Sequence, residues 1–462
     1  MTAAVYLAAF ACLATLAVAA EPLPTYTEKY RPQFHFTAAR DWLNDPNGLV
    51  YYEGEYHLFF QRRVGKLLSD GNMTWGHAVS TDLMHWRELP DAITPDEHGS
   101  IWSGSAVVDW NNTTGFGKDG KPPLVAMYTA AKDPFSQHLA YSTDKGRTWT
   151  KYVGNPVLPN IHGKNRDPKV IWHEPTKKWV MALYLDRRHE FAIFDSPDLK
   201  NWTKLQDVTL DGDDECPDFF PLPLDGDKSK IKWVFTGANA RYVVGTFDGK
   251  TFTRETDVMP SEFGGSYYAA QTYSDTPDGR RIQIGWLRRD GVLPDNMPFN
   301  QQMSVPCELT LKSTPRGPRL FRYPVRELED LANGKPPHVM IERPLGKDDL
   351  LLGVTCELLD FGMRLVMGSA KSVTLNVRGH PITLHAEGKT VALTGWDRRV
   401  SLPVENGQIS LRVLIDRTSI EVFTQNGSVV LSGCFLPPDE NKTISLTAQG
   451  GEAAVFCSSQ DR

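Results

Sequence analysis

AVSTDLMHWREL (78–89), AYSTDKGRTWTKY (140–152) and IFDSPDLKNWTKL (193–205) repeat one plan along this chain. In each, an apolar strand runs into a Ser/Asp turn, and a short strand bearing Trp86, Trp149 or Trp202 leads out of it. GTFDGKTFTRE (245–255) is a fourth, degenerate copy with Phe252 at the Trp position. Short Ser and Asp side chains bond their own backbone in such turns, so each copy reads as a β-hairpin.

A hydrophobic strand precedes each hairpin: YHLFFQ (56–61), LVAMYTA (124–130), KWVMALYL (178–185) and KWVFTG (232–237), with RIQIGWL (281–287) as a fifth. Units of several short strands recurring about every 50 residues are the mark of a β-propeller, here with five blades. A large β-sandwich would not generate recurrent Trp hairpins. The expected fold is all-β: a five-bladed propeller over 21–326, then a second domain over 338–462. Between them, ELEDLANGKPP (327–337) reads as a short helical or loop linker. Alternating runs such as SVTLNV (372–377) and ISLRVLIDRTSIEVFT (409–424) predict that the second domain is a β-sandwich.

Just ahead of each hydrophobic strand lies a polar motif: DPNG (45–48), WSGS (102–105), RDPK (166–169), ECPD (215–218) and YYAA (267–270). The first strand of a propeller blade lines the central channel. These motifs are therefore expected to converge on one axial pocket. Three of them supply carboxyl groups, Asp45, Asp167 and Glu215. Glycoside hydrolysis uses two carboxyls flanking the scissile bond, one of them protonated to release the leaving oxygen. Taken singly, each has a plainer explanation. DPNG is a turn signal, Asp167 beside Arg166 reads as an ion pair, and Glu215 ends an acidic run (Asp211, Asp213, Asp214) that reads as a solvated loop. Clustered carboxylates also raise one another's pKa, as a general acid requires. Their shared place in successive repeats favours chemistry.

Bulk properties exclude other classes. The net charge is −6 over 462 residues. The densest basic run, Arg62-Arg63 to Lys66, is too small for a nucleic-acid footprint. Residues 3–20 are apolar and rich in Ala, and Val18-Ala19-Ala20 fits a signal-peptidase site. The expectation is a signal peptide over 1–20, a secreted or periplasmic protein, and no membrane association after cleavage. With Cys12 in the signal, five of the six cysteines remain, and an odd number argues against a disulfide framework. A single bridge among Cys356, Cys434 and Cys457 stays open. There is no CxxC or HExxH, so no metal and no cofactor is expected. Oligomeric state is not readable.

YRPQFHFTAARDWLNDPNGLVYYEGEYHLFFQ (30–61), WGHAVSTDLMHW (75–86), WSGSAVVD (102–109), RDPKV (166–170), ECPDFF (215–220) and DRTSIEVF (416–423) together resemble the invertase–levanase–inulinase family, glycoside hydrolase family 32. The resemblance runs from about Tyr30 to the C-terminus and implies the same propeller and sandwich. It implies a retaining β-fructosidase of the exo-acting levanase or inulinase sort, acting on levan, inulin or sucrose. Asp45 would be the nucleophile, Glu215 the acid and then the base, and Asp167 the stabiliser of the oxocarbenium-like transition state. Asn44, Gln61, Trp102, Ser103, Arg166, Tyr268 and Trp286 would form the fructose pocket.

Two departures stand out. After FFQ, the family continues with an Asn-Pro pair and a Trp that walls the fructose site, whereas this chain reads RRVGKLLSD (62–70). Either a local change of reading frame or an altered pocket wall accounts for it. Cys307 replaces an Arg common in the family. A non-catalytic fructan-binding protein on the same scaffold is the competing reading. It has no need of a matched acid and nucleophile.

Overall fold

The computed structural model describes residues 26–460 except 70, 188, 332–338, 347–349, 356, 389, 403, 405 and 439. The signal segment 1–20, most of the 327–337 linker and Cys356 lie outside the described residues.

Five groups of antiparallel strands follow one another in chain order, the fourth and fifth joined into one ten-stranded sheet where Leu224 pairs parallel with Leu311. Their channel-lining strands are Asp41–Tyr52, Ser100–Val108, Arg166–His173, Asp218–Leu224 and Tyr267–Thr272. Each is followed by the strand that the sequence marked as hydrophobic: Glu55–Arg63, Leu124–Ala131, Lys178–Arg187, Asp227–Thr236 and Arg281–Leu287. This is the five-bladed propeller.

The hairpins hold by a repeated device. Asp82 accepts the backbone N–H groups of Met84 and His85, Asp198 those of Lys200 and Asn201, and Asp248 those of Lys250 and Thr251. The indole N–H groups of Trp86, Trp149 and Trp202 each donate to the carbonyl three residues back, at 2.9, 3.1 and 2.9 Å. A buried indole N–H is costly unless paired, so the hairpin supplies its partner locally. Phe252 has no such N–H and needs none.

The ring closes through blade five. Its outer strands, Cys307–Lys312 and Arg319–Pro324, follow a detour over 288–306. Within that detour Phe299–Asn300 pairs parallel with Asp41 and Trp42 of blade one. At the other end of the channel, Ser274 accepts from Tyr51 and donates to Leu49.

Beyond the short helix Glu327–Asp330, two six-stranded antiparallel sheets form the sandwich. In Ser372–Val377 every second residue is buried, the period-two pattern of a strand with one face on a core. Cys434 and Cys457 carry free thiols. The propeller and sandwich are joined by buried polar contacts. His35 is bonded to Asp416 and Glu421 at 2.8 Å each, and Asp416 also accepts the backbone N–H groups of Gln33 and Phe34. The two carboxyls of the DRTSIEVF motif thus serve the interface. Arg322, whose strand partner Leu309 lies two residues from Cys307, is ion-paired with Glu262, which also accepts the N–H of Ser432.

Candidate active site

At the rim where the channel strands begin, four of the five lose their regular register. Shifts fall between Leu43 and Pro46, between Trp102 and Gly104, opposite Arg166–Lys169 (between Ala182 and Tyr184), and between Tyr268 and Gln271. A bulge lets neighbouring side chains leave strict alternation and re-aims them. Asp167, Glu215 and Cys216 take positive φ angles of 63°, 58° and 36°. Non-glycine residues rarely adopt this region, and it concentrates where a side chain must be held in a set direction. Gly48 of DPNG has φ +55°, and a Cβ there would lie 2.5 Å from the ring of Phe59. Only glycine fits that turn.

These distortions direct the side chains into one cavity of about 290 Å³. Asn44, Asp45, Gln61, Trp102, Ser103, Arg166, Asp167, Glu215, Tyr268 and Trp286 all line it, so the structure brings together every site residue expected from the sequence. Asp45 accepts from Ser103 Oγ at 2.6 Å and from Asn44 Nδ2 at 3.1 Å. Glu215 is gripped at both oxygens, by Arg166 Nη2 at Oε1 and by the Tyr268 phenol at Oε2, 2.9 Å away. Asp167 accepts the backbone N–H of Cys216 at 3.0 Å, with Arg166 Nε 3.8 Å from its Oδ2. The second guanidinium nitrogen of Arg166 is anchored by Asp186 at 3.0 Å. Gln61 Nε2 is buried and has no hydrogen-bond partner among the described residues, so it is free to donate to a ligand.

Burial raises the pKa of Asp45, against the lowering effect of Ser103 and Asn44. Asp167 is pushed up to about 7, first by burial; Arg166 opposes this, and the charges of Glu215 and Asp45 add to it. Among the three carboxyls, Asp167 is thus the one whose proton is held furthest above the usual carboxylate range.

The acidic run before Glu215 departs from expectation. Asp213 is fully buried and accepts the backbone N–H groups of Asp214, Asn239 and Arg241, while Asp214 accepts that of His189. The run is a brace that fixes the turn presenting Glu215. Of its acids, only Asp211 stays exposed, as a solvated loop would have it.

Sequence reasoning also missed two residues. Trp42 lines the cavity, packs edge-on against Trp286 with ring centroids 5.9 Å apart, and donates to Asn44 Oδ1. Its place two residues before Asn44 in a strand was the available signal. The Cys216 thiol lies 3.5 Å from Asp45 Oδ2 and 3.6 Å from Asp167 Oδ2, between the two carboxyls. The divergent stretch folds over the rim: Arg62 is ion-paired with Asp41 and Asp91, and the backbone N–H of Trp42 donates to the Lys66 carbonyl at 2.7 Å. Ser69 and Gly71 face the cavity from this side.

Comparison with known proteins decides the family. Residues 35–324 match the glycosyl hydrolases family 32 N-terminal domain, and residues 364–460 match the family 32 C-terminal domain. The chain belongs to glycosyl hydrolase family 32. Among its family relatives, a levanase of Bacillus subtilis is 38% identical over 96% of this chain and 72% of its own length. The extracellular exo-inulinase inuE of Aspergillus ficuum is 33% identical over 92% of this chain and 93% of its own. The exo-inulinase of Aspergillus awamori superposes with a TM-score of 0.85 at 30% identity, covering 95% of this chain and 99% of that one. Among the described residues, no helix is long and apolar enough to cross a membrane.

Proposed function

We propose that this family 32 chain is a retaining β-fructosidase that releases terminal fructose from levan, inulin or sucrose. The observation that carries the reading is the separate handling of two carboxyls in one cavity. Asp45 is oriented by Ser103 and Asn44, and Glu215 by Arg166 and Tyr268. A binding protein gains nothing from that division.

Asp45 attacks the anomeric carbon of the fructosyl residue while Glu215 gives a proton to the departing oxygen. The same Glu215 then takes a proton from water, which releases fructose from Asp45 with its configuration kept. Positive charge grows on the sugar ring at the transition state, and Asp167 lies where it would meet it, an electrostatic gain realised only then. Trp42, Trp102 and Trp286 provide apolar walls, and Gln61 and Arg166 fix hydroxyl groups. In this reading the propeller, 21–326, carries the chemistry and the sandwich, 338–462, supports it. Extracellular relatives and the N-terminal segment agree with action outside the cytoplasm.

Incubation with sucrose, levan and inulin, with products followed by proton NMR, tests this directly. The expected first product is fructose in the β configuration. Protein that binds fructan and releases no reducing sugar would instead establish the fructan-binding reading, with the altered 62–70 wall as its cause.

A further inference from the structure

The channel has a second mouth, and it is built differently from the first. At about 3.3 Å per residue, Trp172 lies roughly 17 Å along its strand from Asp167. At this far end a cavity of about 450 Å³ opens, larger than the one holding the carboxyls. It is lined by the distal ends of the same inner strands and the turns after them, including Val108, Ile171, Pro221 and Ser274.

Between the two cavities lies a buried polar layer. Lys169 donates to the Thr272 carbonyl at 2.6 Å and is 3.6 Å from Asp218; Gln271 donates to the Gly104 carbonyl; Ser105 donates to the Pro168 carbonyl. These are residues of the RDPK, ECPD and WSGS motifs that the chemistry above does not use. They plug the channel.

The far cavity has the make-up of a sugar site. Trp110 is 57% exposed, so its ring is open to a ligand. It stands over the cavity with its indole N–H held by Asp275 at 2.9 Å. Trp172 lines the same cavity with its N–H on Glu174 at 2.7 Å, and packs edge-on to Trp179 with centroids 5.0 Å apart. Pinning both indoles through their nitrogens fixes the orientation of their faces. Arg281 contributes a buried Nε with no hydrogen-bond partner among the described residues, and Asn111 an amide. Flat apolar faces with a few convergent hydrogen-bonding groups, in a cavity within the usual ~300–1,000 Å³ for ligands, match an uncharged polyhydroxylated ligand.

We propose that the far mouth of the propeller is a second, non-catalytic carbohydrate site that takes a fructosyl segment of a polymeric substrate. That the sugar is a fructan rests on the function proposed above. The site anchors polymer on the face opposite the carboxyls and raises local substrate concentration without touching the reacting bond. It adds nothing for sucrose, which is too small to benefit from a second hold.

The test compares wild type with Trp110→Ala and Glu174→Gln. Trp110 is exposed, so its loss leaves the fold intact; circular dichroism and sucrose turnover check this. In native gels containing levan or inulin, wild type is expected to be retarded and Trp110→Ala retarded at least threefold less. KM for the polymer should rise about three- to tenfold in Trp110→Ala while kcat/KM for sucrose stays unchanged. Equal retardation and equal polymer KM in wild type and both variants would overturn the site while leaving the sucrose result, and so the proposed activity, standing. Loss of retardation in Trp110→Ala in a protein that cleaves neither sucrose nor fructan would support the site and defeat the activity.

Discussion

The Tyr268 phenol donates to Glu215 Oε2 at 2.9 Å while Arg166 holds the other oxygen. Glu215 is therefore fixed in plane, with its remaining lone pairs aimed into the cavity. A hydrogen bond to a charged group contributes about 1.5–3 kcal/mol. Tyr268→Phe should thus lower kcat for sucrose roughly 10- to 150-fold, with KM little changed, because the ring still walls the pocket. Arg166→Lys should cost more, since one ammonium cannot hold Glu215 and Asp186 in fork geometry. Steady-state kinetics check both.

The roles of Asp45 and Glu215 separate by leaving group. Asp45→Ala removes the attacking carboxylate and should abolish turnover of every substrate by several orders of magnitude. Glu215→Ala removes the proton donor, which a nitrophenolate leaving group does not need. Its first step with a nitrophenyl β-fructoside should therefore survive and give a burst of nitrophenolate, while sucrose cleavage is lost. Stopped-flow absorbance reads the burst. Equal loss on both substrates would contradict the assignment of Glu215 as acid.

The propeller was legible because its signals are local. Trp86, Trp149 and Trp202 each bond within their own hairpin, and the turn carboxylates Asp82 and Asp198 bond within three residues, so the pattern is visible in any short window. The three carboxyls were legible through position in the repeat, and the rest of the pocket through the family resemblance. What escaped depends on contacts between distant residues. Cys216 meets Asp45 across 171 positions, and Lys169 meets Thr272 across 103. Asp213 looked solvated because nothing nearby in sequence shows that the backbone at Asn239 and Arg241 wraps it. The carboxyls of DRTSIEVF could be recognised as a motif, yet their partner His35 lies in the first described turns of the chain.

Asp167 sets a stability–activity conflict. Its folded-state pKa is pushed up to about 7 from an ordinary value of 3.8. Between those values the folded protein holds a proton that the unfolded chain has lost, so stability falls as pH rises through that window and stays low above it. Asp167→Asn removes the buried charge. Its thermal midpoint should exceed that of wild type at pH 8, match it near pH 4, and show a flatter pH dependence, at a cost of most activity. The difference is bounded by about 1.4 kcal/mol per pH unit across the window. Differential scanning calorimetry from pH 4 to 8 measures it.

His35 shifts stability in the same direction, over a higher pH window. Held between Asp416 and Glu421, both fully buried, it has its pKa raised to about 9 despite its own burial. The folded form binds a proton that the unfolded chain gives up near 6.5, so this contact stabilises fully below about pH 6.5 and is lost as pH climbs through 9. Losing it leaves two carboxylates facing each other at the junction of propeller and sandwich. Breaking a buried ion pair from one side costs about 3–5 kcal/mol. His35→Gln should therefore unfold several degrees below wild type at pH 6, with the gap closing by pH 10. Because His35 lies away from the cavity, the variant should keep wild-type kcat at temperatures where it is folded. A gap that persists unchanged from pH 6 to pH 10 would mean that shape, rather than the imidazolium charge, holds the two domains together.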